Sequence, residues 1–146
     1  MGECRVTASA VISFVERLED GAAALYTQMA VRYPQAEARL IGFAGECKKD
    51  KIFVVRTYQE TITDALEACY AFEGLGLDDY VAQTTVPEEA SYADALALAI
   101  AMEQKAVDFY TAVAEQSQAL LATIPRAFRR NAQRHEKRMG VLEGMR

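Results

Sequence analysis

"FVERLEDGAAALYTQMA", residues 14–30, returns 84 positions later as "LAIAMEQKAVDFYTAVA", residues 98–114. Glu19 falls on Glu103, Ala22 on Ala106, Tyr26 on Tyr110, Thr27 on Thr111 and Ala30 on Ala114. In each copy the acid precedes the alanine by three residues and the tyrosine by seven, which places all three on one helix face. Val15 and Met29 share that face in the first copy, Ala99 and Val113 in the second, so it is the face expected to turn inward. A carboxylate there is desolvated and needs a metal ion or a charged hydrogen-bond partner. Two such acids in related positions are read as converging on one central site. The bland alternative, in which both graze the edge of the stripe and reach solvent, has the coincidence of the repeat against it.

The rest of the chain supports an all-α reading. Its 146 residues fit a single domain, 1–146, with a substantial core. Alanine and other strong helix formers abound, and three prolines and eight glycines are few for a chain of hairpins. The net charge of −5 is unevenly placed. From Ala119 onward seven basic residues face Glu136 and Glu143, while the first 118 residues balance at −10. A basic tail on an acidic body implies internal attraction or an anionic partner. Cys4, Cys47 and Cys69 form an odd set without Cys-x-x-Cys spacing, which argues against a zinc knuckle or a disulfide framework. A buried structural thiol is the expected fate of Cys47, with a thiol activated by Lys48 and Lys49 as the alternative. The first residues reach charge too soon for a secretory segment, and no apolar run approaches the roughly 20 residues of a membrane span. A cytoplasmic protein with no membrane partner is expected.

Helical spacing predicts a first helix over 7–33 with Thr7 or Ser9 as N-cap, ended by Pro34. A second helix is expected from 35 to about 60, followed by a shorter helical piece over 62–72. No strand pattern competes, although "KIFVVRTY" (51–58) passes for one in isolation. The punctuated stretch "EGLGLDDYVAQTTVPEEAS" (73–91) reads as the long connection. A third helix over 92–116 and a fourth from 125 to about 142 complete the set. Two helix pairs, each with a short connection, joined by one long crossover connection are the wiring of a ferritin-like four-helix bundle.

On these residues the chain resembles the rubrerythrin-like branch of the ferritin-like superfamily over nearly its whole length. The family pattern is one inward Glu from each of two helices and a Glu-x-x-His from each of the others, holding two iron or manganese ions. Glu19 and Glu103 match the single-Glu positions, and Tyr26 and Tyr110 match tyrosines common around that centre. The other helices depart from it. In "FAGECKKD" (43–50) Glu46 matches the acid while Lys49 stands at the His position, with Asp50 one register away as an alternative ligand. In "AQRHEKRMGVLE" (132–143) His135 stands at the Glu position and Arg138 at the His position.

The charge count then favours ion pairs over metal. Glu19, Glu46 and Glu103 face Lys49 and Arg138, a local sum of −1 that becomes zero when His135 is protonated. Protonated Lys and Arg do not ligate a hard cation, and they repel it. An ion-paired core without cofactor is therefore expected. Iron or manganese on Glu19, Glu46, Glu103 and His135 is the alternative that the resemblance implies. Three functions stand: a non-catalytic bundle, a peroxide- or dioxygen-reducing metalloenzyme, and an anion- or partner-binding bundle using the basic fourth helix. Nucleic acid is not expected, because the basic residues spread around that helix with no interleaved aromatics. The apolar face of "IFVVRTY" suggests a homo-oligomer, a dimer.

Overall fold

The computed structural model describes residues 5–61, 71–73, 75–117 and 123–146. Among them four long helices dominate: α1 (Ala8–Arg32), α2 (Glu37–Thr61), α3 (Tyr92–Gln116) and α4 (Thr123–Gly144). The expected boundaries hold to within about two residues, and α3 coincides with its expected span. Each start has a chemical cause. Thr7 caps α1 by accepting from the Ala10 amide. Ser91 and Asp94 exchange hydrogen bonds in a capping box that opens α3. Pro34 closes α1 and opens a single 3-10 turn (Pro34–Ala36) that leads into α2. "KIFVVRTY" is helical, inside α2.

Two short strands were not expected from the sequence. β1 (Arg5–Thr7) pairs antiparallel with β2 (Ala71–Glu73), Val6 opposite Phe72. Residues 71 and 72 were expected to end a helical piece; the remainder of that piece, 62–70, lies outside the described residues. The pairing has a simple logic: it seats buried Phe72 against the apolar cluster of Ile12, Phe14 and Val54.

α1 packs along α2, and α3 along α4, with α2 and α4 also in extended contact. Tyr26 of α1 reaches Glu103 of α3 while Tyr110 of α3 reaches Glu19 of α1, so these two helices run antiparallel. Residues 84–91 lie along α1. Gln28 binds Thr84 and Val86, and Arg32 takes the carbonyls of Pro87, Glu88 and Ala90. Gly21 makes this approach feasible, because a Cβ there would stand 3.1 Å from Thr84 Cγ2.

The core is two apolar clusters. One gathers Leu25, Met29, Leu40, Phe43, Leu96 and Leu142; the other gathers Val11, Val15, Phe109, Val113 and Phe128. The charged residues lie between them. Among the described residues no helix is long and apolar enough to cross a membrane.

Candidate functional site: a buried charge cluster at the centre of the bundle

The stripe that buries each helix delivers a polar group to the middle. On α1 and α3 it delivers Glu19 and Glu103, both fully buried. On α4 the buried positions run Phe128, Asn131, Ala132, His135, Arg138, Leu142, a helical stripe whose centre is polar. On α2 they run Leu40, Phe43, Ala44, Cys47, Asp50, Val54. This corrects the expected partner set. Lys49 is exposed, because it falls off the stripe that Cys47 and Val54 define, and Asp50 takes the inward place. Glu46 stands at the rim, its side chain 46% exposed.

The repeated phrase turns out to be cross-bonded. The Tyr110 hydroxyl donates to Glu19 Oε2 at 2.6 Å, and the Tyr26 hydroxyl donates to Glu103 Oε2. Each copy's phenol therefore holds the other copy's acid. Burial, reinforced by the adjacent carboxylate, pushes both phenols well above their ordinary pKa, so they remain donors.

His135 lies between the two acids. Its Nε2 is 2.8 Å from Glu19 Oε2, and its Nδ1 bonds Glu103 Oε1. The ring also stacks on Tyr110, centroid to centroid 5.5 Å. Burial alone would lower the imidazole pKa, but the two carboxylates outweigh it and push it up to about 10. Glu103 shifts the opposite way. Burial would raise its pKa, yet His135, Arg138 and the Tyr26 hydroxyl hold it below the usual carboxylate value.

Arg138, 2% exposed, gathers the remaining acids. It reaches Glu103 Oε2 at 3.3 Å, Asp50 Oδ2 at 3.3 Å and Glu46 Oε1 at 3.0 Å. Burial opposes its charge, but Glu103 and its neighbours raise its pKa further above an already high range. Asp50 also binds Arg134 Nε and has Arg130 at 3.9 Å, while Asn131 Nδ2 donates to the Asp50 carbonyl. Arg134, Arg130 and Asn131 had no place in the sequence-derived site. Their spacing from His135 hinted at a shared face, but only the α2–α4 register brings them to Asp50.

The four carboxylates (Glu19, Glu46, Asp50, Glu103) meet three guanidinium groups, and the imidazolium form of His135 supplies the remaining positive charge. Cys47, buried and free, sits beside this cluster. Burial raises its thiol pKa, with Arg138 opposing, so it is not an activated thiol. Cys4 and Cys69 lie outside the described residues.

Glu19, Asp50 and His135 offer ligand atoms within 4.8 Å of one another, and Glu19 Oε1 has no hydrogen-bond partner among the described residues. That suits one divalent cation, provided His135 releases a proton and one of its carboxylate bonds. Two ions do not fit, because Arg138 already stands 3.3 Å from both Asp50 and Glu103.

No family model, no curated protein and no solved structure matches the chain.

Proposed function

We propose that the chain is a ferritin-like bundle in which protein cations have taken over the charge-neutralising role of two metal ions, leaving a non-catalytic scaffold. The wiring supports the fold part of this reading. α1 and α3 are antiparallel, and residues 84–91 run along α1 as a crossover between helix pairs would. The observation that carries the functional part is the placement of His135: both ring nitrogens face carboxylates, Glu19 on one side and Glu103 on the other. An imidazole so placed donates to both acids only when doubly protonated, and it then has no lone pair for a metal or for Arg138 Nη1, which stands 3.2 Å from Nδ1. Elemental analysis tests this. Protein purified without added metal, then incubated with Fe(II) or Mn(II) and desalted, is expected to hold far less than one ion per chain. Two ions per chain would overturn the proposal and restore an oxidoreductase of the rubrerythrin type.

A second reading follows from the unpartnered Glu19 Oε1. One iron or manganese ion would be held by Glu19, Asp50 and His135 and would supply Lewis-acid or one-electron chemistry. Asp50 would have to leave Arg134 and Arg138 in part, which weakens this reading. A stoichiometry of one that is lost in Asp50→Asn would favour it.

Self-association is proposed through the outer face of α2, where Ile41 and Ile52 are each 50% exposed. Val54 of the "IFVVRTY" face is buried and takes no part. Sedimentation velocity should show a dimer that Ile41→Glu with Ile52→Glu dissociates; a monomeric parent protein ends this proposal.

A further inference from the structure

A depression of about 230 Å³ opens between α2 and α4, walled by Phe43 and Val141 and lined by Glu46, Lys49, Arg134, Lys137 and Arg138. Four of these five charged groups are cationic, and they occupy the rim and floor of one concavity rather than a convex helix surface. Lys49 and Lys137 are both exposed, and neither has a carboxylate within 4 Å among the described residues. Arg138 forms the floor, its guanidinium held by Asp50 and Glu103 from below and by Glu46 from the rim.

We propose that this depression binds a small free oxyanion, of which the phosphate dianion is the best match. Glu46 is the tethered stand-in for that ligand. Its Oε1 accepts from both Nε and Nη2 of Arg138, at 3.3 and 3.0 Å, the edge that a bidentate oxyanion takes. The Glu46 side chain is half in solvent, so swinging it outward desolvates nothing and frees that edge. A dianion entering there also answers the two unpaired lysines, which lie within the same concavity. Arg138 cannot leave to meet an external ligand, because Asp50 and Glu103 fix it from inside; the ligand comes to a preformed cation. The inference rests on reading Arg138 as a permanent charge of a metal-free core. Its test uses only surface residues, so it can fail while the metal analysis succeeds, or the reverse.

Isothermal titration of the full chain with inorganic phosphate, in buffer containing a chelator and about 0.15 M sodium chloride, should give saturable 1:1 binding with a Kd of about 1 mM or below. Lys49→Glu with Lys137→Glu should weaken it by about tenfold or more, and Glu46→Gln should tighten it several-fold. Arg129→Glu, which reverses an exposed α4 charge outside the depression, should leave it unchanged. Non-saturating heats, or an equal loss in Arg129→Glu, would overturn the proposal in favour of a diffuse surface potential. Binding of glycerol 3-phosphate without binding of inorganic phosphate would overturn the free-ion form.

Discussion

Arg138→Met is expected to lower the stability of the fold by on the order of 3–5 kcal/mol, because it leaves buried acids short of a cation. Arg138 is 2% exposed and sits 3.3 Å from both Glu103 and Asp50, neither of which has solvent to retreat into. Asp50 keeps Arg134, and Glu103 keeps His135 and Tyr26, so the loss should stop short of abolishing folding. Combining Arg138→Met with Glu103→Gln should recover much of that loss, since the two substitutions share one interaction. Urea melts of the parent, both single variants and the double variant measure the coupling. If the single losses are under about 1 kcal/mol and simply add, Arg138 behaves as a solvated surface charge and the ion-paired core is wrong.

Alkaline pH should destabilise the protein from just above the ordinary imidazole range. His135 has its pKa raised from 6.5 to about 10 in the fold, so the folded chain holds a proton that the unfolded chain releases near 6.5. Its contribution is complete below pH 6.5 and is lost as pH rises toward 10. Between pH 6.5 and 9 the unfolding free energy should fall by about 3 kcal/mol, close to one proton's slope. Glu103 acts at the other end: its pKa is lowered, so its contribution is present at neutral pH and lost on acidification. Stability should therefore peak on the mildly acidic side of neutrality. His135→Gln should flatten the slope above pH 6.5 even if it lowers the whole curve. A parent profile that is already level from pH 6.5 to 9 would show that His135 is neutral in the fold.

The helices were legible because apolar spacing, Pro34 and the Ser91 cap each act within a turn or two of chain. Glu19 and Glu103 were legible for the same reason: each lies on the apolar stripe of its own helix. Lys49 shows where motif alignment misleads. Counting from Glu46 points to residue 49, while the stripe through Leu40, Ala44, Cys47 and Val54 puts residue 50 inside. Packing follows the stripe. The cross-bonding of Tyr26 to Glu103 and Tyr110 to Glu19 was not legible, because a repeat does not reveal whether each copy satisfies itself or its partner. Arg134 and Asn131 depend on how α4 lies against α2, a relation between segments some 80 residues apart. The β1–β2 pair is three residues long on each side, too short for periodicity to register.

The exchange of hydroxyls between the two phrases also bears on how the chain reaches its fold. Within the repeated phrase α1 carries one acid and one phenol, and so does α3, yet neither helix uses its own phenol on its own acid. The α1–α2 half also brings Glu46 and Asp50, and the α3–α4 half brings His135 and three arginines, so the two halves are complementary. Docking the halves one turn out of place would part buried Glu19 from Tyr110 and His135, its donors in the other half, at a cost well above thermal energy. Glu103 would lose Tyr26 but keep His135 and Arg138. The polar centre therefore penalises a misaligned docking of the two halves through the unsatisfied charge that it would bury.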